Sequence, residues 1–234
     1  KKYQIVYKDL EKAIHCQKYQ VGDFLPTEQE LVETFKVSRY TIRKALSLPL
    51  NKVWLKDYGA GSQVISQEQV NFPVSDLTSY QELIEQQALK SQTNIISLDK
   101  IIVDIILSEK TGFSRSQQVW CLIRQRIVDG CASVVDIDYL DVRLMPQLNR
   151  IIAENSIYDY LENQLHLSIS HAFKEITIDN TSEQDKILID IGKDHHVVCI
   201  RSKVYLNNGN QLQFTESRHK LEKFKFVYYA KRHH

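Results

Sequence analysis

The chain has 234 residues, 43% hydrophobic and 25% charged, with a formal net charge of +1. That balance excludes a disordered or fibrous polymer and leaves room for one large or two modest globular domains. No apolar run approaches the ~20 residues needed to span a bilayer, and no basic-then-apolar leader opens the chain, so a cytoplasmic location without membrane contact is expected.

The charge is divided unevenly. Residues 1–66 carry a balance of +4 and residues 67–234 a balance of −3. A small basic module ahead of a mildly acidic one suggests an N-terminal contact with a polyanion. In residues 3–16, Ile5, Leu10, Ala13 and Ile14 make an apolar stripe at helical spacing. Gly22-Asp23 breaks it. Thr27 and Glu30 then form a capping box for a second helix that turns Leu31, Val32 and Phe35 inward. Ser38 caps a third helix with Ile42, Ala45 and Leu46 inward, and Pro49 ends it by Leu48. Arg39, Tyr40, Arg43 and Lys44 lie on its opposite side.

That order is the logic of a helix-turn-helix, whose last helix fits the major groove. The guanidinium forks of Arg39 and Arg43, four residues apart, can read guanine edges, while Ser38, Tyr40 and Thr41 hold phosphates at the helix start. Thr27 and Lys44 complete the candidate DNA contacts of the helices. Residues 53–65 read as strand, turn, strand, and Gly59 and Gly61 would let a wing approach the minor groove or the phosphates. The competing reading is a three-helix domain with a solvated basic face.

The runs Leu25-Pro26-Thr27-Glu28-Gln29-Glu30-Leu31, Val37-Ser38-Arg39-Tyr40-Thr41-Ile42-Arg43-Lys44-Ala45-Leu46 and Gly59-Ala60-Gly61-Ser62 resemble the winged-helix domain of GntR-type bacterial transcription regulators. The resemblance implies that Arg39, Arg43 and the two wing glycines contact double-stranded operator DNA.

The expected division is a winged helix over 1–65, a polar connector over 66–72 and a second domain over 73–234. In the second domain Ser79 and Glu82 form another capping box, opening a helix to Leu89. Residues 120–128 alternate as a strand, Asp129-Gly130 signals a hairpin, and 134–140 returns. Ser156 opens a helix to Leu165. Residues 173–178 and 197–206 read as strands, and Asn207 to Asn210 turns the chain into a strand over 212–218. Residues 108–118 match no pattern. An antiparallel sheet with helices against it, an α+β fold, follows.

Arg124 and Arg126 are two apart and so share one strand face. Two guanidiniums side by side repel unless an anion joins them. With Ser79 and Ser156 at helix starts and the Tyr158 hydroxyl, they could form a phosphate socket. Alternatively, both arginines pair with Asp136, Asp138 or Glu216 in a structural network. A two-residue hairpin puts Asp136 on the face opposite Arg124; a three-residue one puts it alongside.

Phe72-Pro73-Val74-Ser75, residues 154–162, Leu167-Ser168-Ile169-Ser170 and residues 214–227 resemble the UTRA-type effector domain of the HutC branch, most of all in repressors of trehalose-utilisation operons. The resemblance implies a homodimer and a phosphorylated-sugar effector, trehalose 6-phosphate, with no cofactor. On it, Ser79, Arg124, Arg126, Ser156 and Tyr158 hold the phosphate, and Asp136, Glu216, Arg218 and Tyr228 face the sugar. An enzyme acting on a sugar phosphate is the rival class. Arginines beside Glu216 and Asp136 would depress both carboxyls and leave no proton donor. No histidine spacing suits a metal, and no glycine-rich loop suits a nucleotide.

Overall fold

A computed structural model describes residues 2–16, 18–20, 22–48, 53–57, 61–67, 70–72 and 77–227. The chain divides into two compact units, Lys1–Gln69 with the turn Asp129–Cys131, and the remainder.

The first unit holds α1 (Lys2–His15), α2 (Glu28–Phe35), α3 (Arg39–Leu46), β1 (Val53–Asp57) and β2 (Ser62–Gln67). Val6, Leu10 and Ile14, spaced four apart, form the buried stripe of α1. Ile5 is exposed, a correction to the sequence reading: the i, i+4, i+8 ladder starts one residue later. Leu31 of α2 and Ile42 and Ala45 of α3 close on Val6 and Leu10. Both expected caps are present. Thr27 and Glu30 exchange hydrogen bonds as a capping box, and the Ser38 hydroxyl accepts from Thr41 N–H. Those bonds also hold the Glu30 carboxyl below its ordinary pKa. Between α2 and α3, Lys36 takes a left-handed φ of 51°. β1 and β2 pair antiparallel, and Val64 of β2 packs with Ile14 and Leu25. Gly61 holds φ 151° beside Phe24. Pro49 and Gly59 lie outside the described residues.

The second unit begins with β3 (Val70–Asn71), α4 (Tyr80–Gln86), β4 (Ser91–Ile102), α5 (Ile105–Thr111), β5 (Gln118–Val128) and β6 (Cys131–Asp141). There follow α6 (Arg150–Glu154), α7 (Ile157–Asp159) with a π-turn over Tyr160–Gln164, β7 (Ile169–Asn180), α8 (Glu183–Leu188), β8 (His196–Leu206), β9 (Gln211–Lys220) and β10 (Phe224–Lys225). Six strands form an antiparallel sheet in the order β4-β5-β6-β9-β8-β7. Val70 and Asn71 pair in parallel with Phe224 and Lys225. The polar run at 66–72 is thus not all connector: β2 reaches Gln67, and Phe72 is buried against Phe224 and His219. The helix expected to reach Leu89 stops at Gln86, and α5 covers part of the unassigned 108–118.

The β5–β6 turn decides the face of the acids. Asp129 and Gly130 both have positive φ, 50° and 82°, as a two-residue type I′ turn requires. Asp136 nonetheless pairs with Arg126 and Asp138 with Arg124, on one face. A two-residue turn alone would place them apart, so the β5–β6 pairing beyond the turn differs in parity from the one that turn sets.

Candidate DNA interface and effector cavity

Arg39, Tyr40, Arg43 and Lys44 are all exposed on α3, Tyr40 at 73%. Arg43 Nε donates to Glu28 at 3.0 Å across a solvent-exposed pair. Such a pair contributes at most about 1 kcal/mol, which a base edge or phosphate can displace. Lys44 Nζ stands 4.6 Å from the centre of the Tyr3 ring, so this lysine also ties α3 to α1. Thr27 and Ser38 use their side chains to build the helix starts, and Thr41 shares its hydroxyl with Ser38 at 2.9 Å. Arg43→Ala is expected to weaken binding to a duplex selected from a random pool by about 1–3 kcal/mol, roughly 5- to 150-fold, and to flatten the salt dependence. Fluorescence anisotropy measures both; an unchanged affinity would place Arg43 outside the interface.

The second unit contains a cavity of about 190 Å³, lined by one face of β5, β6, β9 and β8, by the starts of α4 and α7, and by Phe72. That volume holds a small metabolite rather than an isolated water. Ser79, Arg124, Arg126, Asp136, Ser156 and Tyr158 all line it, as the sequence reading expected. The arginines are not free forks. Arg124 donates to Asp138 at 2.7 Å and to the Ala153 carbonyl at 3.3 Å. Arg126 donates to Asp136 at 2.8 Å and to Thr93 at 2.7 Å, with its guanidinium 4.1 Å from the centre of the Tyr80 ring. Of the two readings posed as alternatives, the structural network is present, with both arginines paired to acids in the wall of the cavity.

Burial first, then the neighbouring Arg124, weakens the hold of Arg126 on its proton. For Asp136, burial pulls upward, but Arg126, Arg124 and the Ser217 hydroxyl together bring the carboxyl below its usual value. Burial raises the Tyr80 hydroxyl to about 12 and also raises Tyr158, so both are protonated donors at neutral pH. Ser79 and Ser156 each accept from an amide of their own helix, which leaves their own hydroxyl protons to donate.

Two expected sugar contacts are misplaced. Glu216 and Arg218 sit on the other face of β9, because side chains alternate along a strand. Glu216 there takes Lys110 at 2.9 Å and Arg201 at 3.1 Å, and Arg218 grips Asp185 at 2.7 Å. Their neighbours Gln213, Thr215, Ser217 and His219 face the cavity instead. Polar residues occupy both parities of β9, so the alternation in sequence did not distinguish them. Tyr228 lies outside the described residues.

Three buried side-chain atoms of cavity residues have no hydrogen-bond partner among the described residues: Arg124 Nε, Gln213 Oε1 and His219 Nδ1. Leaving such a group dry and unpaired costs about 1–3 kcal/mol. All three belong to residues that line the cavity.

Comparison with known proteins agrees with both halves. Residues 2–48 match the bacterial regulatory protein, GntR family, model, and residues 86–225 match the UTRA domain. The chain is 35% identical to the HTH-type transcriptional regulator TreR of Bacillus subtilis (strain 168), over 99% of this chain and 98% of that protein. The structure is similar to that of the B. subtilis trehalose repressor effector-binding domain, with a TM-score of 0.57 and 35% identity, covering 61% of this chain and 99% of that one. The B. subtilis regulator YydK, 23% identical, shares the fold over 99% of this chain and 100% of its own, with a TM-score of 0.60. Among the described residues no helix is long and apolar enough to cross a membrane. A capped recognition helix with outward cations, joined to a sheet domain with a polar cavity, is the arrangement of a DNA-binding regulator rather than an enzyme, and this chain belongs to the GntR family of bacterial transcription regulators, with a UTRA effector domain.

Proposed function

We propose that this regulator is a cytoplasmic homodimeric repressor of a trehalose-utilisation operon, released from its operator by a phosphorylated sugar, trehalose 6-phosphate foremost. The observation that carries the ligand reading is the trio of unpartnered buried atoms in one arginine-bearing cavity. An anion beside Arg124 and Arg126 would relieve their mutual repulsion and supply Arg124 Nε with an acceptor. The serine and tyrosine hydroxyls would add neutral donors. The likeness to TreR and to a trehalose repressor's effector-binding domain supports a trehalose-derived phosphosugar.

Ligand release of DNA is linkage: the effector shifts the protein toward whichever state binds it more tightly. A coupling of about 3–4 kcal/mol would weaken operator binding several hundredfold. Phe72, which lines the cavity, also stands next to β3, the first strand of the second unit, so effector contact there acts close in sequence to the connector.

A second reading has one observation in its favour. The lining cations Arg124, Arg126 and Lys174 are matched by Asp136, Asp138 and Glu154, a balance that also suits an uncharged sugar. Calorimetric titration of the full chain with trehalose 6-phosphate, trehalose, glucose 6-phosphate and inorganic phosphate separates the two. Trehalose 6-phosphate is expected to bind at least ~10-fold more tightly than trehalose, the worth of one charge-assisted hydrogen bond. Equal affinity would remove the phosphate from the account.

A further inference from the structure

We propose that Cys16 and Cys131 are a redox-sensing dithiol, joined into a disulfide by a hydroperoxide, and that the bond changes how tightly the chain holds DNA. Neither cysteine is among the DNA-contact candidates or the residues lining the cavity.

The pair meets within the first unit. Cys16 follows the last residue of α1 and is half-buried, while Cys131 opens β6 and is fully buried. Their Sγ atoms lie within 4.8 Å of each other, although the two residues are far apart in sequence. The Cys16 thiol also donates to the Gly130 carbonyl at 3.9 Å. That carbonyl belongs to the turn in which Asp129 and Gly130 both hold positive φ, so Cys16 rests on backbone of a defined shape. A disulfide sets its sulfurs about 2.05 Å apart, and rotation about χ1 of the two thiols is the motion that closes the rest.

The other two cysteines are poor targets by comparison. Burial, ahead of the neighbouring Glu216, pushes the Cys199 thiol up to about 11, and burial also raises the Cys121 thiol. The thiolate is the nucleophile, so a raised thiol reacts slowly.

The chemistry closes on a peroxide alone. The Cys16 thiolate attacks one oxygen of hydrogen peroxide and the O–O bond breaks. Cys16 becomes a sulfenic acid, and the departing hydroxide takes up a proton as water. The Cys131 sulfur then attacks the Cys16 sulfur, the S–O bond breaks, and the hydroxyl leaves with the Cys131 proton as a second water. Two thiols lose two electrons and one peroxide becomes two waters. In a reducing cytosol such a pair rests as thiols and is bonded only under oxidant load, which is sensing rather than stapling.

The bond acts on DNA binding through α1. Val6 and Leu10 of that helix pack with Ile42 and Ala45 of α3, and Tyr3 meets Lys44. Fastening the end of α1 to the turn therefore restrains the support of the helix that carries Arg39 and Arg43.

The test uses the full chain, reduced and then treated with one equivalent of hydrogen peroxide, beside Cys16→Ser and Cys131→Ala. Alkylation and peptide mass mapping are expected to find Cys16 joined to Cys131 within one chain, with Cys121 and Cys199 still thiols. Affinity for a duplex selected from a random pool, read by fluorescence anisotropy, is expected to shift at least ~5-fold on oxidation, the lower end of ordinary coupling between sites. Dithiothreitol should reverse the shift, and neither variant should show it. Cys16→Ser removes a half-buried thiol and leaves the core intact, should Cys131→Ala loosen the start of β6. An oxidised Cys16 without a bond to Cys131, a bond between two chains, or no loss of thiols overturns the pairing. A bond that forms and leaves duplex affinity unchanged overturns the sensing role. A shift that persists in both variants belongs to another residue and overturns the proposal. Zinc held by the untreated chain and lost in both variants would make the thiols metal ligands and equally overturn it.

Discussion

Asp138→Ala is expected to destabilise the second unit by about 3–5 kcal/mol, the typical cost of stripping one partner from a buried ion pair. Asp138 is wholly buried and anchors Arg124, Gln213 and Thr215 together. Without it, the Arg124 guanidinium keeps, among the described residues, the Ala153 carbonyl alone, with Nε already unpartnered. A buried cation left in that state has no low-energy alternative, since arginine does not deprotonate in proteins. The unit carries Trp120, and Trp54 is the chain's other tryptophan, so urea unfolding followed by fluorescence in a Trp54→Phe background isolates the transition. The joint replacement Arg124→Met with Asp138→Leu removes both charges and is expected to restore most of the stability, while abolishing effector response. A loss under about 1 kcal/mol for Asp138→Ala would mean that water already reaches Arg124.

That contrast bears on why an arginine pair needs two acids beside it. Unpaired, Arg124 and Arg126 would repel each other in a poorly solvated wall and oppose folding whenever the ligand is absent. Paired, they are tolerated in the empty protein, and the acids in turn orient the β9 hydroxyls. The four charges therefore balance one another in the buried wall, and in the function proposed above the same arginines would meet the effector's anion.

The helix-turn-helix was legible because its signals are local. Thr27 with Glu30, and Ser38 before Ile42, specify helix starts within four residues, and the outward cations follow from the same period. The arginine side of the cavity was legible for a similar reason: positions two apart on one strand share a face wherever that strand lies. The β9 side was not. Its face depends on how β6 aligns with β9 across about 80 residues of chain, and polar residues stand at both parities. Asp136 likewise shares the face of the arginines, a parity that the length of the β5–β6 turn alone does not reveal. Phe72 was read as the end of a connector because its partners, Phe224 and His219, are far along the chain.

Lowering the pH from 7 to about 4.5 is expected to cost the second unit about 2–3 kcal/mol, with His219 as the main cause. Burial holds this imidazole down at about 4, with Asp136 pulling the other way, against an ordinary value near 6.5. Between those two values the unfolded chain binds a proton that the folded one refuses, so stability rises with pH through this window and falls as acid is added. Above about pH 6.5 both states are neutral at this residue and its contribution is complete. The carboxyls of Asp136, Asp185 and Glu216 are held below their ordinary range, so their share of stability is lost only at lower pH, beneath the histidine window. His219→Phe keeps contact with Phe72 and Phe224 and cannot titrate. Its urea midpoint, read through Trp120 in the Trp54→Phe background, should therefore change far less between pH 7 and 4.5 than that of the wild type. If the two chains lose stability in parallel, another group governs the acid limb, and His219 binds its proton equally well in the folded and the unfolded chain.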